Sequence, residues 1–302
     1  MTAPVVLFVF KRPEHTKSTI KSLLANPEAK DTDLFIFSDG WRNEKEMKEV
    51  EEVRRIISHL EGFRSVHLFF SDKNKGLARS IIDGVTSLLQ EHNEIIVLED
   101  DMEVAPTFLK YMNFNLDLYK DNPKVASIHA YCYPIKGKLP DFFFMRGADC
   151  WGWATWKRAW TFFDESGENL LQELKEKKLI DEFDYYGAAS KVRMLKNQID
   201  GKVDSWAIRW DASIFLKNML TLYPGKSLLK NIGADGGGTH TKSTKIFNVN
   251  DFASLPQLGK IPVEVNPLAQ QAFSDFYLRN KRLNPLVRLI FFLKSKNMIP
   301  RR

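Results

Sequence analysis

Two hydrophobic periods alternate along the first 125 residues. VVLFVF (5–10), LFIFS (34–38), VHLFF (66–70) and EIIVL (94–98) are short apolar runs rich in β-branched and aromatic residues, the composition of strands buried on both faces of a parallel sheet. Between them the period lengthens. From Gly76 to Glu91, Leu77, Ile81, Ile82, Val85, Leu88 and Leu89 recur at spacings of three, four and seven, which places them on one face of a helix. Pro13 suits the first turn of an earlier helix, where its missing N–H costs nothing. Strands separated by crossover helices predict an α/β fold, a mostly parallel central sheet with helices on both faces.

Beyond residue 125 the alternation fades. VASIH (125–129) and FFFM (142–145) read as strands, and helical patterns recur around 168–177 and 187–199. Trp153, Trp156 and Trp160 in WGWATWKRAW (151–160) fall at helical spacing, so most of this aromatic mass is expected in the core. Trp151 lies off that face and is open to either core packing or contact with a ligand. GADGGGTH (233–240) is a loop by composition. Near the C-terminus, 284–302 sets Leu286, Leu289, Ile290 and Leu293 on one helical face beside Arg288, Lys294, Lys296, Arg301 and Arg302. That pattern suits either an amphipathic helix on an anionic membrane surface or a helix packed on the domain with a basic tail.

Composition narrows the classes. The 302 residues carry 44 Lys and Arg against 38 Asp and Glu, a formal charge of +6. The basic residues form no stripe interleaved with stacking aromatics, and no zinc-finger or RNA-binding motif occurs, which argues against nucleic acid as the partner. Two cysteines, Cys132 and Cys150, stand outside any paired metal or redox spacing, as expected in a reduced compartment. The opening apolar run is too short for a signal peptide and no run reaches the length of a membrane span. A cytoplasmic protein is therefore expected, peripheral at the inner face of the membrane if the C-terminal helix lies on it.

Ligands of open α/β sheets bind beyond the carboxyl ends of the strands. The residues following the four runs are Lys11-Arg12, Asp39-Gly40, 72–75 and the triplet Glu99-Asp100-Asp101. A carboxylate cluster at a strand end suits Mg²⁺ or Mn²⁺, which prefer hard oxygen ligands and take few of them from protein. Such a triplet also serves as a turn or a helix cap, and Asp39-Gly40 also reads as a capped turn.

The segment VLEDDMEVAPTFLKYM (97–112) resembles the Golgi N-acetylglucosaminyltransferases, inverting enzymes of the GT-A type, and the chain to about residue 240 resembles bacterial family 2 sugar transferases of surface-polysaccharide synthesis. The resemblance implies a GT-A domain over 1–260, with a nucleotide-binding half (1–125) and an acceptor half (126–260), and a C-terminal extension over 261–302. It implies transfer from a UDP-sugar to a saccharide or lipid-linked saccharide hydroxyl with a divalent metal. By that carry-over Asp101 binds the metal, Glu99 and Asp100 meet nucleotide or donor sugar, Arg12 approaches the diphosphate, and Asp39 reads uracil. LARS (77–80) matches the helix start below the donor, offering Arg79 to phosphate, although a helix-surface arginine is an equal reading. VDSWAIRW (203–210) supplies Asp204 as the general base, with Trp206 beside the acceptor; Asp204 also reads as a helix cap, and Asp200 and Asp211 are rivals. His240 after the glycine-rich loop is a second candidate for the metal or diphosphate, with solvation as its plain alternative. Ser80 and Val203 depart from the Golgi pattern, which leaves the donor sugar open. Two other readings stand beside this one: a nucleotidyltransferase, which should carry a glycine-rich basic loop where FVFKRPEH has none, and a non-catalytic carbohydrate-binding scaffold.

Overall fold

The computed structural model describes residues 2–233 and 246–281. Predicted helix 284–302 and His240 lie outside the described residues.

In chain order, β1 (Val5–Val9) leads into α1 (Pro13–Leu24), a 3-10 turn (Pro27–Asp31) and β2 (Asp33–Ser38). Then come α2 (Glu44–Ile57), β3 (Ser65–Phe70), α3 (Leu77–Glu91) and β4 (Glu94–Glu99). These are the four predicted strands and their crossovers. Pro13 opens α1, Asn43 caps α2 by accepting a hydrogen bond from the Lys45 N–H, and α3 starts after Gly76. β5 (Met102–Val104), α4 (Phe108–Tyr119), β6 (Val125–His129) and β7 (Phe142–Arg146) follow. The remainder comprises β8 (Trp153–Trp156), α5 (Lys157–Trp160), α6 (Gly167–Glu176), α7 (Ile180–Phe183), α8 (Lys191–Ile199), α9 (Trp206–Leu216), β9 (Leu220–Pro224), β10 (Leu229–Asn231) and α10 (Pro267–Asn280).

Eight strands form one sheet in the order β3-β2-β1-β4-β8-β6-β9-β7, and β10 pairs with β5 in a small second sheet. β1, β2, β3 and β4 are mutually parallel, so their carboxyl ends share one edge of the sheet. β8 runs antiparallel between β4 and β6 and joins the regular first half to the second. The predicted α/β architecture, a mostly parallel central sheet flanked by helices, is the one adopted.

Alternate strand residues feed two cores. Val5, Leu7 and Val9 pack with residues of α1, α2 and α4 on one face, while Val6 and Phe8 pack with α3, α5 and α9 on the other. Gly84 in α3 allows the close approach on the second face: a Cβ there would lie 2.7 Å from the Phe8 ring.

The tryptophan segment is buried as expected but is not one helix. Trp153 and Trp156 belong to β8 and fall in opposite cores, and only Trp160 is helical. The strand wins because WATW places β-favouring residues where both β4 and β6 offer ladder partners. Predicted helix 187–199 is helical only from Lys191, after a turn in which Tyr185, Tyr186 and Ser190 hold positive φ.

Candidate functional site

A cavity of about 1080 Å³ opens beyond the carboxyl ends of β1, β2 and β4 and continues toward α8, α9 and α10. Arg12, Asp39, Glu99, Asp100, Asp101, Trp151, Asp204 and Trp206 all line it. Residues far apart in the chain are thus brought together.

The acidic triplet begins at the last residue of β4. Asp100 is buried, and one of its oxygens accepts the Phe10 N–H at 3.1 Å. Burial pushes its carboxyl up to about 7, with Asp101 adding to the rise and the Phe10 N–H and Arg12 opposing it. Glu99 is raised well above the usual carboxylate range, first by burial and then by the charges of Asp101 and Asp100. Asp101 is one-fifth exposed and lies 3.1 Å from the Arg12 guanidinium. The Ile232 N–H donates to the Asp101 carbonyl, and Arg12 also reaches the Gly233 carbonyl at 3.4 Å. Three chain segments therefore meet at Asp101.

Asp39 has a structural task. Its two oxygens accept from the Gly40, Lys75 and Gly76 N–H groups and from the Asn74 side-chain amide, at 2.8 to 3.0 Å. Four donors fill the four lone-pair positions of a carboxylate, so Asp39 fixes the 74–76 turn at the wall of the cavity and has no oxygen to spare for a uracil imide. Arg79 is a further correction. It is absent from the cavity wall, is half-exposed on α3, and is bound by Asp83 one turn on and by Glu165 at 3.2 Å.

Asp204 precedes α9, whose cap is the neighbouring Ser205, accepting from the Ile208 N–H. Freed of capping, Asp204 presents a side chain 62% exposed, with one oxygen 3.3 Å from Arg209. Trp206 is buried and stacks on Trp153 at 5.3 Å, so it supports the wall chiefly as core. Trp151 makes edge contacts with Tyr131 and Phe247. Its backbone N–H donates to Nε2 of buried His129 at 3.1 Å, and burial lowers that imidazole's affinity for a proton. Asp200 does not line the cavity.

No protein-family model matches this sequence, and no curated protein does. Among solved structures the chain is similar to a mannosyltransferase from Pyrobaculum calidifontis in complex with GDP-Man and Mn²⁺, at 11% identity over 44% of this chain and 37% of that one, TM-score 0.31. It is similar to TarS of S. aureus at 9% identity over 100% of this chain and 73% of that one, TM-score 0.41. A third is mouse xyloside xylosyltransferase 1, at 15% identity over 62% and 76% of the two chains, TM-score 0.35. The chain thus spans little more than a third of the mannosyltransferase's length.

Apart from Asp211, named above as a rival to Asp204, several cavity residues carry no sequence signal of their own. Asp149 accepts from the Tyr133 hydroxyl at 3.0 Å and from the Cys150 N–H at 2.9 Å. Lys191 and Asp211 form a buried ion pair at 2.7 Å, and Asp211 also accepts the Ala148 N–H. Burial alone would lower the Lys191 ammonium, but Asp211, with Tyr185 and Asp149, opposes it and the net shift is upward. Phe273, Phe276 and Tyr277 of α10 crowd around Tyr133 and complete an aromatic wall. The position of Asp149, two residues before Trp151, was the one available hint.

Hard oxygen donors suit the expected cation. Among the described residues no three His, Cys, Asp or Glu side chains form a ready-made cage. A partly exposed carboxylate at Asp101 beside buried Asp100 fits an ion that takes most of its ligands from phosphate and water.

Proposed function

We propose that this chain is a glycosyltransferase that moves a sugar from a nucleoside-diphosphate donor to a saccharide hydroxyl, with inversion. The observation that supports the reading is one continuous cavity with the Glu99–Asp101 triplet and Arg12 on one side and the exposed carboxylate of Asp204 on the other.

A donor diphosphate beside Asp101 meets the Arg12 guanidinium, whose fork matches phosphate oxygens. A divalent ion held by Asp101 would neutralise charge on the departing diphosphate. Buried Asp100 and partly buried Glu99 line the cavity where a hydroxyl of nucleotide ribose or donor sugar can donate to them. The turn braced by Asp39 offers a wall for the base, lined by Asn74 and Gly76. UDP is the first donor to test on the family resemblance, although Asp39 reads no base directly.

Asp204 is the general base in this scheme. Its second oxygen is free to accept the acceptor's O–H proton, whereas both oxygens of Asp149 already accept protein donors. The hydroxyl oxygen then attacks the anomeric carbon from the face opposite the diphosphate, and the bond to the leaving phosphate oxygen breaks. Trp151 and Tyr133 line the space where the acceptor enters. A lipid-linked acceptor would place the chain at an anionic membrane surface. Among the described residues no helix is long and apolar enough to cross a membrane.

Calorimetry with a panel of nucleoside diphosphates, with and without Mn²⁺, tests the donor side. Metal-dependent binding that Asp101→Ala abolishes is expected. Absence of any nucleotide binding under all conditions would remove the basis for the reading. With the donor identified, Asp204→Asn should lower kcat by roughly 10²–10⁴-fold while nucleotide affinity is kept, the scale of a general base.

A further inference from the structure

The two edges of the large sheet are treated differently. Beyond β7 the chain covers its own edge: Phe144 forms a parallel bridge with Val265, and the Asn266 N–H donates to the Phe144 carbonyl. β3 pairs with β2 over six residues without a bulge, and among the described residues nothing pairs with its other side. It carries no proline or lysine, the usual blunting devices of a free edge. Leu68, Phe69 and Phe70 are 36%, 44% and 44% exposed.

Both faces of this strand are half-clothed. Phe69 stacks on Phe37 at 4.6 Å and His67 on Phe35 at 4.5 Å on one face. On the other, Arg54 covers Phe70, and Val66 and Leu68 line a groove of about 440 Å³ with Ile57, Leu60 and Phe63. The Ser71 N–H donates inward to the Ser38 carbonyl. By the alternation of a strand's hydrogen-bonding groups, Val66, Leu68 and Phe70 turn their N–H and C=O groups outward.

We propose that β3 is a self-association edge, pairing antiparallel with β3 of a second copy of this chain about a two-fold axis at Leu68. The sequence RSVHLFFSD (64–72) is self-complementary about that point. Leu68 faces its own copy, Val66 faces Phe70, Ser65 faces Ser71, and Arg64 faces Asp72. The facing pairs Val66–Phe70 and Leu68–Leu68 are those whose backbone groups point outward, so the ladder is satisfied. Asp72 has no ion-pair partner among the described residues, and Arg64, which binds Asp33 through two of its nitrogens, keeps a further N–H-bearing nitrogen. Moving the axis one residue either way sets Arg64 against Phe70 or Asp72 against Val66, and a half-step flips the faces. The two sheets would join into one of sixteen strands, twice the eight of one chain.

Sedimentation velocity on the full chain is the test. The wild type should sediment as a concentration-dependent dimer. Leu68→Lys sets two ammonium groups against each other at the axis and should give a monomer; the site is exposed, so the fold is kept, as circular dichroism would verify. Leu68→Cys should form a disulfide-linked dimer under mild oxidation, because facing Cα atoms lie within disulfide range. Phe69→Cys should not, because its copy is displaced along the strand. A wild type that stays monomeric at high concentration overturns the proposal, as does a dimer that Leu68→Lys leaves intact or Leu68→Cys does not link.

Discussion

Lys191 and Asp211 lie at the back of the cavity with side chains 18% and 7% exposed, where water screens their charges little. Each charge stabilises the other, and neither has another place to go. Asp211→Ala should therefore destabilise the protein by about 3–5 kcal/mol, the cost of a buried ion left alone. Lys191→Met with Asp211→Asn, which keeps an acceptor for the Ala148 N–H, should recover most of that loss, and urea midpoints of the three proteins decide it. The opposite sign is expected in the acidic triplet, where like charges crowd together at the cavity wall. Asp100→Asn keeps an oxygen for the Phe10 N–H and removes a buried charge, so it should stabilise the ligand-free protein by about 1 kcal/mol while weakening metal-dependent nucleotide binding. The triplet was legible in the sequence because a strand end fixes where its next residues point. The partners of Asp39 and Arg79 were not, because the donors that occupy Asp39, 74–76, and the Glu165 carboxylate that accepts from Arg79 come from turns whose approach no periodicity reports.

The four parallel strands and α3 were legible almost to the residue, since runs of apolar residues and an amphipathic helix alternate there. β8 was not. Trp153, Trp156 and Trp160 satisfy a helical period, yet the first two sit on a strand whose identity depends on the neighbours β4 and β6 that enclose it. The start of α2 yields a prediction at this scale. Glu46, buried, binds Arg42, which precedes the helix cap Asn43, and Lys11 at 2.6 Å beyond the end of β1. The hydrogen bonds from Arg42 hold its carboxyl down at about 2, against burial, with help from Lys11. A carboxyl lowered on folding adds stability above its unfolded value, near 4.5, and loses it as pH falls toward 2. Glu46→Gln should lower the thermal midpoint at neutral pH by an amount equivalent to about 1–2 kcal/mol, less than the full shift implies because Arg42 is half-exposed. The wild type and the variant should converge only as pH falls to about 2, where the folded carboxyl itself takes up its proton.

At the scale of the molecule, the cavity is assembled from segments that meet only in the fold. Arg12 follows β1, Asp101 follows β4, and Gly233 follows β10, which is held to β5 by an antiparallel ladder beginning one residue beyond Asp101. No sequence pattern links residues 12, 101 and 233, which is why the junction itself could not be read beforehand even though two of its members could. Gly233 is what lets the three converge: a Cβ there would lie 1.9 Å from an Asp101 oxygen and 3.0 Å from the Arg12 guanidinium. The obstructing atom is the tip of a partly exposed side chain, so the carboxylate can swing aside at small cost to the fold. It cannot do so and keep its aim. Gly233→Ala should therefore change thermal stability by less than about 1 kcal/mol, the range of surface substitutions, while weakening Mn²⁺-dependent nucleotide binding roughly tenfold, the ~1.4 kcal/mol that a lost or misdirected polar contact carries. Calorimetry and a melting curve on the same sample separate the two effects. Equal losses in both would mean that residue 233 holds up the fold, and unchanged binding would mean that the position of the Asp101 carboxylate beside Arg12 is irrelevant to the nucleotide.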